Sequence, residues 1–114
     1  MKIYKTDEIK DLPKLEISPH NTDLKLLQTP DNNFPLASVY GFMDKGTEMT
    51  CIIEKNCEFL YVINGEIEIS IKDKVHNLKT GDMAFVPMTG KPNDFVKYRA
   101  IVDSIAFSIE HEIN

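Results

Sequence analysis

The sequence predicts an all-β domain, and three observations carry that prediction. From residue 36 onward apolar and polar residues alternate with period two. Turn signals recur about every 8–12 residues. No long helical pattern interrupts them. The chain has 114 residues, close to one domain's worth, with 42% apolar and 27% charged residues. That composition belongs to a folded domain, one able to bury roughly two-thirds of its unfolded surface.

Residues 1–35 are the least patterned and are read as a strand and arm region packing on a barrel of residues 36–114, one domain overall. Within the arm, Thr6 is a candidate helix cap and Pro13 a stop, so a short helical turn is the most expected between Lys5 and Leu15. Leu24-Lys25-Leu26-Leu27 reads as a first strand, closed by the turn residues Thr29-Pro30-Asp31-Asn32-Asn33. Leu36 to Met43 and Met49 to Glu54 are the next strands, separated by Asp44-Lys45-Gly46. Phe59 to Ile63 follows, then Asn64-Gly65, the strongest local hairpin signal in the chain. In Glu66 to Ile71 three isoleucines share one face, with Glu, Glu and Ser on the other. Val75 to Leu78, Met83 to Pro87 and a last strand or close pair within Ala100 to Ile109 complete the set. A β-sandwich or barrel accommodates them.

Charge and composition exclude several function classes. The chain carries 13 Lys+Arg against 18 Asp+Glu, a net charge of −5, and Arg99 is its single arginine. Such a balance offers no broad footprint for nucleic acid, whose phosphates reward clustered Lys and Arg. The longest apolar run, Phe59 to Ile63, falls far short of the roughly 20 residues of a bilayer span, so no membrane partner is expected. The charged start, Met1 to Glu8, is unlike a signal peptide. Cys51 and Cys57 are too few for a secreted disulfide scaffold, so free thiols and a cytoplasmic location are expected. Phosphate-binding glycine loops, nucleophile elbows and zinc-knuckle spacings are absent.

Gly46, Glu58 and Gly65 occupy the glycine, glutamate and glycine positions of a pattern similar to G-x5-H-x-H-x3-E-x6-G. Gly81 to Pro87 echoes a second pattern, similar to G-x5-P-x-G-x2-H-x3-N. On these residues the chain resembles the cupins over roughly residues 36–110. The resemblance implies an all-β, cupin-type jelly-roll β-barrel. The stretch Glu58 to Gly65, with the histidine-poor second motif, is similar to the ethanolamine-utilisation cupins of EutQ type.

Metal-binding cupins hold their ion with three histidines and a glutamate. Here Ile52 and Glu54 stand at the two first-motif histidine positions, and Pro92 or Asn93 at the third. Glu58 alone remains of that set, while His20, His76 and His111 lie elsewhere. No cofactor is expected. Glu54 and Glu58 offer at most an oxygen-only site for a weakly held divalent ion.

The resemblance places Glu58 inside the barrel, where burial raises a carboxyl's pKa and suits it to hydrogen bonding or acid–base work. Glu54, four positions earlier, is a second candidate, able to share a proton or help clamp an amine or sugar hydroxyls. Their structural alternatives are a water-satisfied carboxylate at the mouth and a surface residue beside Lys55. Leu60, Val62 and Phe85 are candidate walls, Asn93 a mouth residue and Tyr61 a pocket hydroxyl. His76 has the parity of Leu78 and so of an inward position, although a structural role is favoured. Cys51 and Cys57 read as small apolar fillers.

These residues support a small cupin that binds a sugar, amine or organic acid without the usual metal. Two alternatives stay open: an isomerase, epimerase or lyase driven by Glu58, and a non-catalytic sensor or assembly module with a filled barrel. The resemblance implies a homodimer, with Leu24 to Leu36 as a contributor to its interface.

Overall fold

Period-two alternation becomes two facing antiparallel sheets in a computed structural model, which describes residues 1–16, 18 and 21–112. A four-residue helix, α1 (Thr6–Ile9), precedes β1 (Thr22–Gln28), β2 (Ala37–Met43), β3 (Glu48–Ile52), β4 (Asn56–Asn64) and β5 (Glu66–Ile71). Then come β6 (Lys74–Lys79), β7 (Met83–Val86), β8 (Phe95–Ala100) and β9 (Ser104–Glu112). One sheet runs β1-β2-β9-β4-β7 and the other β3-β8-β5-β6. Every pairing is antiparallel, as in a jelly roll. No helix of the described residues is long and apolar enough to cross a membrane.

The core lies between the sheets. Leu60, Val62, Val86 and Ala106 come from the first, and Ile67, Ile69, Val96, Tyr98 and Ala100 from the second. Ile53, Val62, Ile67, Val86 and Val96 are all but completely buried, each contributing about 1.5–3 kcal/mol relative to exposure. The three isoleucines of β5 do share a face, and that face is this core.

The Asn64-Gly65 turn joins β4 to β5 but does not close the expected hairpin, because the two strands lie in different sheets. β4 pairs with β7 and β9, and β5 with β6 and β8, so the turn crosses from one sheet to the other. Gly65 has φ +112°, a conformation open to glycine and strained for other residues. Its amide donates to Thr80 Oγ1 at 2.9 Å, and the Glu66 amide donates to Ser104 Oγ at 3.1 Å.

Two details differ from the local reading, the helix cap and the segment before residue 100. Thr6 is the first helical residue and not the cap; Lys5 holds that position, with no side-chain capping bond. The segment before residue 100 is a strand in its own right, β8, because Val96, Tyr98 and Ala100 face the core while Lys97 and Arg99 face out. There Lys97 pairs with Glu48 at 3.3 Å and Arg99 with Glu68 at 3.1 Å across the neighbouring strands. His76 is exposed, because β6 is an edge strand with little cover.

The N-terminal segment is tied down along β1. The Leu15 amide donates to the Leu24 carbonyl at 2.8 Å, the Lys25 ammonium to the Leu12 carbonyl, and the Tyr4 hydroxyl to the Leu27 carbonyl. β1 in turn pairs with β2 from Thr22–Met43 to Gln28–Ser38, with a bulge near Leu26. His20 lies outside the described residues.

Candidate functional site

Between the sheets, beside the core, is a cavity of about 370 Å³. That size falls within the range of small-molecule sites. Leu24, Val39, Gly41 and Met43 form one side, and Met49, Cys51 and Ile52 of β3 another. Asn56, Glu58 and Leu60 of β4, Ile67, Tyr98, and Ala106, Ser108 and Glu110 of β9 complete the wall, with Leu15 from the N-terminal segment.

Strand register brings the two carboxyls together. Glu58 stands directly opposite Glu110 in the β4–β9 pair and opposite Val86 on its other flank. Glu58 is only 3% exposed. Burial, then a hydrogen bond to Glu110 and the charge of that group, push the Glu58 carboxyl from 4.5 up to about 9. Two carboxyls hydrogen-bond only when one carries a proton. Without that proton, Glu58 Oε1 is a buried atom with no donor. Near neutral pH the Glu58 carboxyl therefore holds its proton beside Glu110.

Two more polar atoms on the same wall have no hydrogen-bond partner: Asn56 Oδ1 and the Tyr98 hydroxyl, the latter on a side chain 5% exposed. Buried polar atoms are paired in most folded proteins, so a group of unpaired ones around a cavity marks a place where something binds. Cys51 also lines it. Burial, and then the charges of Glu58 and Glu110, push its thiol up to about 12, so it is a neutral wall and not a nucleophile. Cys51 and Cys57 are both free thiols.

The sequence-nominated residues are distributed as follows. Glu58 and Leu60 line the cavity. Val62 shares their face but is packed in the core. Phe85 and Tyr61 stand on the outer surface, because they have the opposite parity to Glu58 and Leu60. Glu54 is half-buried in the turn after β3, where its carbonyl accepts the Gly90 amide at 3.0 Å, and it is not among the lining residues. Asn93 is exposed at φ +65° in the turn before β8. Sequence reasoning missed Glu110, Tyr98, Asn56 and Ser108. The signal for the β9 pair was the inward parity of Ala106, Ser108 and Glu110, legible once β9 extends past Ile109.

These residues do not fit a three-histidine, one-glutamate metal centre. No histidine is among the described lining residues, and the Glu58 carboxyl is held protonated by burial and by Glu110. Ile52, at a histidine position of the motif, is 55% exposed at the rim, and Pro92 and Asn93 are exposed. Among the described residues no group of three His, Cys, Asp or Glu side chains is placed to hold a metal ion.

No protein-family model and no curated protein sequence matches the chain. Solved structures do. KdgF from Halomonas sp. matches with a TM-score of 0.74 at 19% identity, covering 99% of this chain and 96% of that one. An RmlC-like cupin from Shewanella frigidimarina NCIMB 400 matches at 0.70 and 19%, covering 92% and 87%. A candidate ethanolamine utilization protein Q (EutQ) from Salmonella typhimurium LT2 matches at 0.73 and 16%, covering 90% and 80%. The chain spans about half, 52%, of an HTH_3 family transcriptional regulator from Vibrio cholerae, matched at 0.70 and 12% identity over 82% of this chain. At these identities the likeness is one of fold, and it agrees with the strand order and the inter-sheet cavity: the chain has the cupin jelly-roll fold.

Proposed function

We propose that the protein binds a small polar metabolite in the cavity between its sheets, without a histidine-held metal, and that Glu58 is central to recognition. One observation carries this reading: Asn56, Glu58 and Tyr98, each with a buried polar atom that has no partner, all line a single 370 Å³ space. A barrel filled by its own side chains has no such space, which weighs against a purely structural module. A cytoplasmic setting, where Cys51 and Cys57 stay reduced, belongs to the same reading.

Thermal-shift screening against amines, sugars and organic acids tests it. At least one class raises the Tm of the wild type, and Ala106→Leu, which fills the cavity from β9, removes that shift. Should Ala106→Leu not fold, Tyr98→Phe serves instead, weakening the shift through loss of its hydroxyl. If no class binds, or if both variants bind like the wild type, the reading fails.

The raised carboxyl favours a second reading, in which Glu58 is a general acid in cofactor-free isomerisation, epimerisation or elimination. Turnover of a bound compound, lost in Glu58→Gln while binding persists, distinguishes catalysis from binding alone.

The outer face of the five-stranded sheet supports pairing of two copies. Phe59, Tyr61, Met83 and Phe85 stand exposed there on adjacent strands, with the Phe59 and Phe85 rings 6.0 Å apart. An apolar cluster of this kind on a surface is characteristic of subunit contact.

A further inference from the structure

We infer that the cavity takes a single positive charge, a protonated amine on a short apolar body, an inference that rests on the cavity being a binding site. Charge is the first argument. Glu58 and Glu110 face each other from adjacent strands, and no Lys, Arg or His is among the described residues that line the space. The groups facing Glu58 are Glu110 from β9, Cys51 from β3 and Tyr98 from β8; the lining residues of β1 and β2 carry no titratable group. Lys25 is buried nearby, but its ammonium is already engaged by Asp23 at 3.0 Å and by the Leu12 carbonyl. The two facing carboxyls make this space acidic, and no cationic group among the described lining residues offsets them. A buried charge without a partner is costly, and a ligand cation removes that cost.

Hydrogen-bond polarity is the second argument. Asn56 Oδ1 and an ionised carboxylate are acceptors only, and the Tyr98 hydroxyl has free acceptor capacity. An ammonium is a donor only, with up to three N–H groups, so the two sets are complementary. A carboxylate ligand brings more acceptors and a like charge. A neutral alcohol donates one bond and leaves the charge unmatched. The rest of the wall limits the ligand's body: Leu24, Val39, Met43 and Leu60 reward alkyl surface and not a polyol.

Titration calorimetry near neutral pH with n-butylammonium, n-butanol and butyrate, on the full chain, tests this. The amine binds at least about tenfold more tightly than the alcohol, and butyrate binds weakest. In the double variant Glu58→Gln with Glu110→Gln, which keeps the shape but removes the charge and replaces one acceptor oxygen of each group with a donor NH2, the amine's advantage shrinks to about threefold or less. Alcohol or butyrate binding as well as the amine to the wild type overturns the cation inference and leaves the cavity as a binding site. So does an amine advantage that persists in the folded double variant. If that variant does not fold, the wild-type series decides alone. No binding by these probes or by any class in the broader screen overturns both readings.

Discussion

Glu58 and Glu110 are cross-strand partners at one register position of β4 and β9, both on the wall of the same cavity. Like charges directly opposite each other in a sheet destabilise it, and burial increases the penalty. Glu58 persists there by holding its proton, its carboxyl pushed up to about 9. A folded protein that tolerates such an arrangement has traded stability for a charged, unsatisfied site, the usual mark of function in a cavity.

The first consequence is a pH dependence with an unusual sign. The Glu58 carboxyl lies at about 9 in the fold against an ordinary 4.5, so between those values the folded state holds more protons than the unfolded one. Its contribution to stability is complete below 4.5, declines as pH rises, and is gone above about 9. Urea unfolding between pH 6 and 9 will show stability falling by up to about 1.4 kcal/mol per pH unit from this group. Glu58→Gln flattens the slope; an equal slope in the variant would remove Glu58 as its source.

Cys51 should be inert. With its thiol pushed up to about 12, little thiolate exists at pH 8. In a Cys57→Ser background, reaction with a disulfide reagent will be at least about a hundredfold slower in the folded protein than in urea. Comparable rates in the two states would contradict the burial that raises the thiol.

Gly65 and Gly81 separate strain from space. Both have positive φ, +112° and +90°. A Cβ on Gly65 would lie 2.3 Å from Ser104 Oγ and 2.8 Å from Ser104 Cα, whereas one on Gly81 meets nothing within 4 Å. Gly65→Ala is expected to cost at least about 2 kcal/mol and Gly81→Ala about 1 kcal/mol. Chemical denaturation of both variants checks the order, and a reversal would mean that the Asn64-Gly65 turn shifts to admit the methyl group.

A dimer formed through the outer sheet face is broken there and not elsewhere. Light scattering at tens of micromolar should give a dimer for the wild type and a monomer for Phe59→Glu with Phe85→Glu, both at exposed positions. Leu26→Glu, in the N-terminal region nominated from sequence, is the comparison. If it alone gives a monomer, the interface lies along β1. A monomeric wild type removes the dimer altogether.

Alternation made most strands legible. Glu66 to Ile71 and the Asn64-Gly65 turn are local signals: side-chain parity and a φ only glycine adopts easily are properties of neighbouring residues. Which strands pair is not, and this turn crosses between sheets instead of closing a hairpin. Glu58 was nominated through its place in a motif, and it lines the cavity. Phe85 and Tyr61 show the limit of that reasoning. Apolar character marks a residue for burial, but whether the buried face is the cavity, the core or a subunit contact depends on which face of β4 and β7 meets the other sheet.

By itself, then, the sequence determined an all-β chain, its turn positions and one carboxyl suited to chemistry. Only the tertiary structure decided that carboxyl's partner. Glu110 stands opposite Glu58 because β9 inserts between β2 and β4, a pairing of distant segments whose register is set by matching buried faces across three strands. No local pattern encodes that register, and the raised carboxyl of Glu58 follows from it.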